Sequence, residues 1–182
     1  RDRLYAEEVA TAARHQADHD VLRGLPNRRV LRAVLDGRGE TAGPVTLLLL
    51  DIDHFKEIND SLGHDVGDHV LREVASRLAG IDNEVLVVRL GGDEFAIIQA
   101  SGTTEAKAQE LCERLLAAIN APPHILGNEI KIAASIGVVL APKHGTSTDE
   151  LMKNVDVALY KAKPAGPGTY AICQAAPAVA PT

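Results

Sequence analysis

A chain of 182 residues, 46% hydrophobic and 24% charged, is long enough for one domain with a real core and too short for two. Aromatic residues make up 3% with no Trp, so the core is expected from Leu, Val, Ile and Ala, and stacking platforms for single-stranded nucleic acid are scarce. A formal charge of −6 argues against a general nucleic-acid-binding surface and leaves room for a local cationic pocket around a small phosphate ligand. Cys112 and Cys173 supply neither a metal-ligand spacing nor a disulfide framework, which points to a cytoplasmic domain. The most apolar run, "VTLLLLDID", is far too short to span a bilayer, and no signal-peptide pattern opens the chain, so no direct membrane contact is expected. The start at Arg1 is read as the sign of a piece of a longer protein.

In chain order, residues 1–20 are polar and alanine-rich with scattered apolar positions, and predict an exposed linker or signalling helix. "LRGLPNRRVLRAVLDG" predicts a turn at Pro26 and a short helix capped by Asn27, with Val30, Leu31, Val34 and Leu35 on one face and Gly37 as its stop. Val45–Leu50 is a continuous apolar run of strand length, expected at the centre of a sheet with both faces covered. A loop, "HFKEINDSLGHDVGD", is expected next, then a helix with Val66, Val70, Val74 and Leu78 spaced four apart. Val85–Leu90 and Phe95–Ile98 read as a hairpin around Gly91-Gly92-Asp93-Glu94. A helix introduced by Thr103-Thr104 carries Ala108, Leu111, Cys112, Leu115, Leu116 and Ile119. A long alternating strand is expected from Ile130 to Leu140, and Ser147-Thr148-Asp149-Glu150 offers a capping box for a last helix. From Pro164 the composition is that of a linker or tail. The order helix, strand, helix, hairpin, helix, strand, helix predicts an α+β fold with a mostly antiparallel central sheet covered by helices.

Chemistry concentrates at two element ends. Asp51 and Asp53 follow the buried strand, and Asp93 and Glu94 sit in the hairpin turn, where adjacent acids repel each other unless something neutralises them. A strand end with one carboxylate beside a turn with two more collects hard oxygen ligands for Mg²⁺, which keeps several waters and takes few carboxylates besides substrate phosphates. Phosphoryl transfer is the chemistry such a site suits, with Lys56 near enough in sequence to hold phosphate oxygens. Each feature alone has a plainer reading: Asp-x-Asp as a turn or cap, Lys56 as a solvated lysine, Asn59-Asp60 and Gly63-His64-Asp65 as turn punctuation. Their joint appearance at element ends is what favours a site. A polymerase- or nuclease-like palm suits the carboxylates but not the net charge or the scarce aromatics.

"RLGGDEFAII", "LLLLDIDHFKEINDSLGHDVGDHVL", "LRGLPNRR", "ASIGVVLAPKHG" and "VDVALYKAK" together resemble the GGDEF domain family, the diguanylate cyclases that condense two GTP into cyclic di-GMP. The resemblance covers roughly residues 20–170. It implies a sheet-centred, nucleotidyl-cyclase-like fold and a GGDEF domain over 21–170, with 1–20 as the upstream helix and 171–182 as a linker or disordered tail. It also implies a reaction in which two GTP-loaded domains meet as a homodimer and each 3′-oxygen attacks the other's α-phosphate, releasing pyrophosphate. By the same resemblance Asp51, the Ile52 carbonyl, Asp93 and Glu94 hold Mg²⁺, with Mn²⁺ as an alternative, and Asp93 or Glu94 assists the attacking oxygen. Asn59 and Asp68 match the guanine-reading pair, His54 and Phe55 offer backbone N–H groups to the phosphates, Lys56 and Lys163 are cationic contacts, and Gly91 and Gly92 let the backbone approach the nucleotide.

The sequence departs from the family pattern in three places. Arg23 stands where Thr is usual before Gly-Leu-Pro-Asn-Arg. Pro167 stands where an Arg commonly contacts phosphate, and proline donates no hydrogen bond; one charge-assisted contact of that kind carries roughly 1.5–3 kcal/mol. Asp82–Val85, "DNEV", replaces the Arg-x-x-Asp of an inhibitory site for the product. The ending "KPAGPGTYAI" resembles GGDEF domains that precede an EAL phosphodiesterase domain. An upstream sensor and a downstream EAL domain are therefore the expected neighbours, and a GTP-binding regulatory module that makes little product is the rival to the cyclase reading.

Overall fold

The computed structural model describes residues 24–37, 43–82, 84–100 and 103–174. The expected helix over 1–20 and the Arg23 departure lie outside them. Five helices flank a five-stranded sheet: α1 (Arg28–Asp36), β1 (Val45–Ile52), α2 (Phe55–Leu62), α3 (His64–Ala79), β2 (Val85–Gly91), β3 (Glu94–Gln99), α4 (Glu105–Asn120), a small hairpin of β4 (His124–Ile125) and β5 (Asn128–Glu129), β6 (Ala134–Ala141), α5 (Thr148–Ala162) and β7 (Tyr170–Ile172). The sheet order is β2-β3-β1-β6-β7. All its pairings are antiparallel except β6 with β7.

The apolar run places β1 at the centre, and all eight of its residues are buried. Strand side chains alternate between faces, and that alternation divides the core in two. Leu48, Leu50 and Ile52 pack with Val66, Val70, Val74 and Leu78 of α3 and Leu111, Leu115 and Ile119 of α4. Val45, Leu47 and Leu49 pack with Leu31 and Leu35 of α1 and Leu151, Val155 and Leu159 of α5. Helices thus cover both faces, and each fully buried Leu or Val contributes about 1.5–3 kcal/mol. Gly137 of β6 lets α5 lie directly on the sheet, since a Cβ there would stand 2.3 Å from the Leu159 backbone nitrogen.

Local signals end the helices as the residue types dictate. Asn27 accepts from the Val30 N–H at 3.2 Å, Thr104 from Lys107 at 3.2 Å, and Ser147 from Glu150 at 3.1 Å, satisfying first-turn donors.

Three expectations are corrected. The segment expected as a loop from His54 to Asp68 is helical, forming α2 and the first turn of α3. Phe55, Ile58 and Leu62 follow helical spacing, but polar residues between them and Gly63 after them dilute the pattern, and none of α2 is fully buried. The strand expected from Ile130 begins at Ala134; Ile130 and Ile132 are buried outside the ladder. The linker expected over 171–182 begins inside β7, where Tyr170, Ala171 and Ile172 pair with Ile136, Gly137 and Val138. A three-residue strand after a Pro- and Gly-rich stretch is too short to show a period. Among the described residues no helix is long and apolar enough to cross a membrane.

Candidate active site

Register brings the acids together. Asp51, at the penultimate position of β1, pairs with Glu94 on β3 and with Ser135 on β6, so these three project to one face, the face that α1 and α5 cover. The hairpin turn sits over the end of β1, because the Ile52 N–H donates to the Asp93 carbonyl at 3.2 Å. Gly91 and Gly92 hold φ of 138° and 52°, and a Cβ at either would meet nothing within 4 Å. Conformation, not crowding, requires glycine there, and the turn is left with open space above it. Arg89 secures it, donating from Nη2 to the Gly92 carbonyl at 3.1 Å.

Asp51 is 8% exposed. Its Oδ2 is ion-paired with the Lys163 ammonium at the end of α5, and its Oδ1 is buried with no hydrogen-bond partner. Asp93 is pushed up to about 7, first by burial, then by its hydrogen bond with the Asp51 carboxyl and the charges of Asp51 and Glu94. Glu94 is raised by burial, by Asp51 and by Asp156 on α5, while Arg28 and Lys163 pull it down. Lys163 is raised mainly by its hydrogen bond to Asp51. The turn therefore holds three acids in mutual repulsion with a single ammonium seated among them.

Asp53 lies past the end of β1, and both its oxygens are engaged. Oδ1 accepts from the Ser135 hydroxyl at 2.6 Å and Oδ2 from the Gly168 N–H at 3.3 Å. It ties the approach to β7 onto the sheet rather than facing the site. His54 follows in the left-handed region, φ 57°, and turns the chain into α2, whose first residues are Phe55 and the exposed Lys56. First-turn N–H groups of a helix lack intrahelical partners and point toward an anion placed there.

Asn59 on α2 and Asp68 on α3 form a second group that contributes nothing to the shifts of the carboxylates. The Asn59 amide lies against Gly67, one residue from Asp68; a Cβ at Gly67 would fall 1.7 Å from the Asn59 Oδ1. Gly67 is a site residue the sequence reading missed. Its signal was available: a glycine inside a helix costs about 1 kcal/mol against Ala and calls for a packing reason. Ser135 was missed as well, being one apolar-strand residue among many until register set it beside Asp51.

Three or more His, Cys, Asp or Glu side chains do not converge as a preformed metal cage anywhere among the described residues. The donor set nonetheless fits Mg²⁺, which binds through one or two carboxylates plus substrate phosphates. The partnerless Asp51 Oδ1 and the two raised acids are what such an ion would relieve.

The family model described as the GGDEF domain of diguanylate cyclases matches residues 17–169. This chain belongs to the GGDEF domain family. An uncharacterized signaling protein of Caulobacter vibrioides is 41% identical over 93% of this chain, and the diguanylate cyclase TpbB of Pseudomonas aeruginosa is 39% identical over 88%. The crystal structure of the GGDEF domain of TpbB superposes with a TM-score of 0.78 at 35% identity, covering 82% of this chain and 97% of that one. A bifunctional diguanylate cyclase/cyclic di-GMP phosphodiesterase of Pseudomonas aeruginosa, MucR, is 39% identical over 84% of this chain. The chain spans 21%, 38% and 23% of the lengths of these three curated relatives. The mostly antiparallel sheet flanked by helices is the fold of these GGDEF neighbours.

Proposed function

We propose that this GGDEF domain condenses two GTP into cyclic di-GMP with release of two pyrophosphates, working as a pair of domains that each hold one nucleotide. The observation that carries the reading is the stack of Asp51, Asp93 and Glu94 at adjacent strand ends, with Asp51 Oδ1 lacking a partner and both turn acids raised. Mg²⁺, or Mn²⁺ in its place, when bound would neutralise these carboxylates and the developing charge on the phosphates. In each half-reaction a bond forms between the 3′-oxygen of one GTP and the α-phosphorus of the other. The bond from that phosphorus to the pyrophosphate oxygen breaks, and the 3′-hydroxyl proton passes to Asp93 or Glu94. An acid titrating near 7 is well matched to accepting a proton at neutral pH.

Asn59 and Asp68 read the guanine edge, the amide and carboxylate complementing its donors and acceptors. The backbone N–H groups at His54 and Phe55, with Lys56 and Lys163, receive the phosphates. Ile52 at the end of β1 is placed to offer its carbonyl to the ion. A cytoplasmic setting, an upstream sensor and a neighbouring EAL domain complete the reading; the name of MucR supports the last of these.

One observation favours a second reading, a GTP-binding module that regulates a neighbour and makes little product. Pro167 has no N–H, and the Lys163 ammonium is already held by Asp51. The deciding experiment incubates concentrated protein with GTP and Mg²⁺ and follows cyclic di-GMP and pyrophosphate by chromatography. Product with a rate rising faster than linearly in protein supports the cyclase; GTP binding without product at any concentration supports the regulatory module.

A further inference from the structure

Arg28 is the first residue of α1 and has no hydrogen bond or ion pair among the described residues. Its position is locally unfavourable. A cation in the first turn opposes the helix dipole, and α1 carries no acid there to offset it. Capping does not need it either, since Asn27 already serves the Val30 N–H. A residue that breaks a local rule without local gain is where a functional demand is expected.

The backbone before α1 is pinned to the catalytic hairpin. The Arg89 N–H donates to the Pro26 carbonyl at 2.9 Å, and the same Arg89 holds the Gly92 carbonyl through Nη2. Arg28 therefore starts its helix two residues beyond a direct tie to the turn. Its charge is felt at Glu94, which it pulls down against burial, while Arg29 has no such effect. The other cation beside the acids, Lys163, is committed to Asp51, and Pro167 can donate nothing.

We propose that Arg28 is the guanidinium that receives the β- and γ-phosphate oxygens of the bound nucleotide and steadies the departing pyrophosphate, filling the place that Pro167 leaves without a donor. No covalent bond to Arg28 forms or breaks; its N–H groups donate to phosphate oxygens in the two-pronged geometry that guanidinium offers and ammonium does not. This inference rests on the GTP reading above and deepens it.

The test is calorimetric titration of wild type, Arg28→Ala, Arg28→Lys and Arg29→Ala with a non-hydrolysable GTP analogue and with GMP, both with Mg²⁺. Arg28→Ala is expected to weaken the triphosphate by roughly ten- to a hundredfold and leave GMP within about twofold. Arg28→Lys falls between, Arg29→Ala matches wild type, and the melting temperatures of all four agree. Undiminished triphosphate affinity in Arg28→Ala, or an equal loss for GMP and triphosphate, overturns the proposal and leaves the GTP reading standing. A wild-type protein that binds neither nucleotide overturns both.

Discussion

Two regions of this domain treat charge in opposite ways. Around the helix packing on one face, charges are answered: Arg77 bonds Glu73 at 3.0 Å and caps the end of α4 through the carbonyls of Ala118, Ile119 and Ala121. Arg32 meets Asp149 at 2.7 Å and Lys143 meets Glu105 at 2.8 Å. Around the Gly92–Asp93 turn, Asp51 keeps an oxygen without a partner, Asp93 is pushed to about 7, Glu94 is raised, and Arg28 opens a helix from its wrong end. The same chain that closes its polar accounts elsewhere leaves them open where a cation and a polyphosphate would bind. Local conflicts of this kind gather at functional sites because function, not stability, selects them.

The comparison breaks most visibly at the acids. Asp93→Ala or Glu94→Ala is expected to reduce cyclic di-GMP formation by more than about a thousandfold, the range lost when the group that balances charge or takes the proton is removed. The melting temperature stays level or rises, because repulsion has been relieved. Chromatography of product and a thermal melt on the same samples check both halves, and turnover at the wild-type rate in either variant defeats the assignment. In the packed region the sign reverses. Gly137→Ala forces a methyl against the α5 backbone and is expected to cost about 3 kcal/mol by denaturant unfolding, through overpacking that backbone cannot yield to. Arg77→Ala strands three carbonyls and is expected to cost about 2 kcal/mol without altering nucleotide affinity.

A smaller effect sharpens the second group of the site. Asp68→Ala is expected to relax the preference for GTP over ATP by roughly tenfold, as loss of one base-reading contact does. Gly67→Ala displaces the Asn59 amide and moves the same preference in the same direction. Competition between the two nucleotides measures both; an unchanged ratio removes Asn59 and Asp68 from base recognition.

How much of this was legible before the structure follows from what each signal requires. Val45–Leu50 announced a central strand because continuous apolar character demands cover on both sides. Gly91 and Gly92 announced a turn because positive φ favours glycine. The capping residues Asn27, Thr104 and Ser147 were readable because their bonds are local. β7 was not legible, since its three residues take their place from pairing with β6, and α2 was hidden by the polar residues it presents to solvent. Of the site, the acids stood out by spacing and family resemblance. The use of both Asp53 oxygens, the bond from Lys163 to Asp51, and the fit of Gly67 to Asn59 link residues far apart in the chain or on different elements, and no local pattern carries them.

The raised acids also set a pH dependence. An ordinary aspartate releases its proton near 4 and Asp93 near 7, so between those values the folded protein holds a proton that the unfolded chain has lost. Stability of the metal-free protein therefore falls as pH rises through that window, Glu94 adds in the same direction, and the loss is complete above about 7. The most direct measurement is the melting temperature at pH 5 and pH 8 for wild type and Asp93→Asn, each without and with Mg²⁺ and a non-hydrolysable GTP analogue. The expected result is a wild type that loses more stability than Asp93→Asn between pH 5 and pH 8 when metal-free, and regains more at pH 8 when ion and nucleotide are added. Identical pH slopes in the two proteins, with no gain from ion and nucleotide, would contradict a turn whose acids wait for a cation.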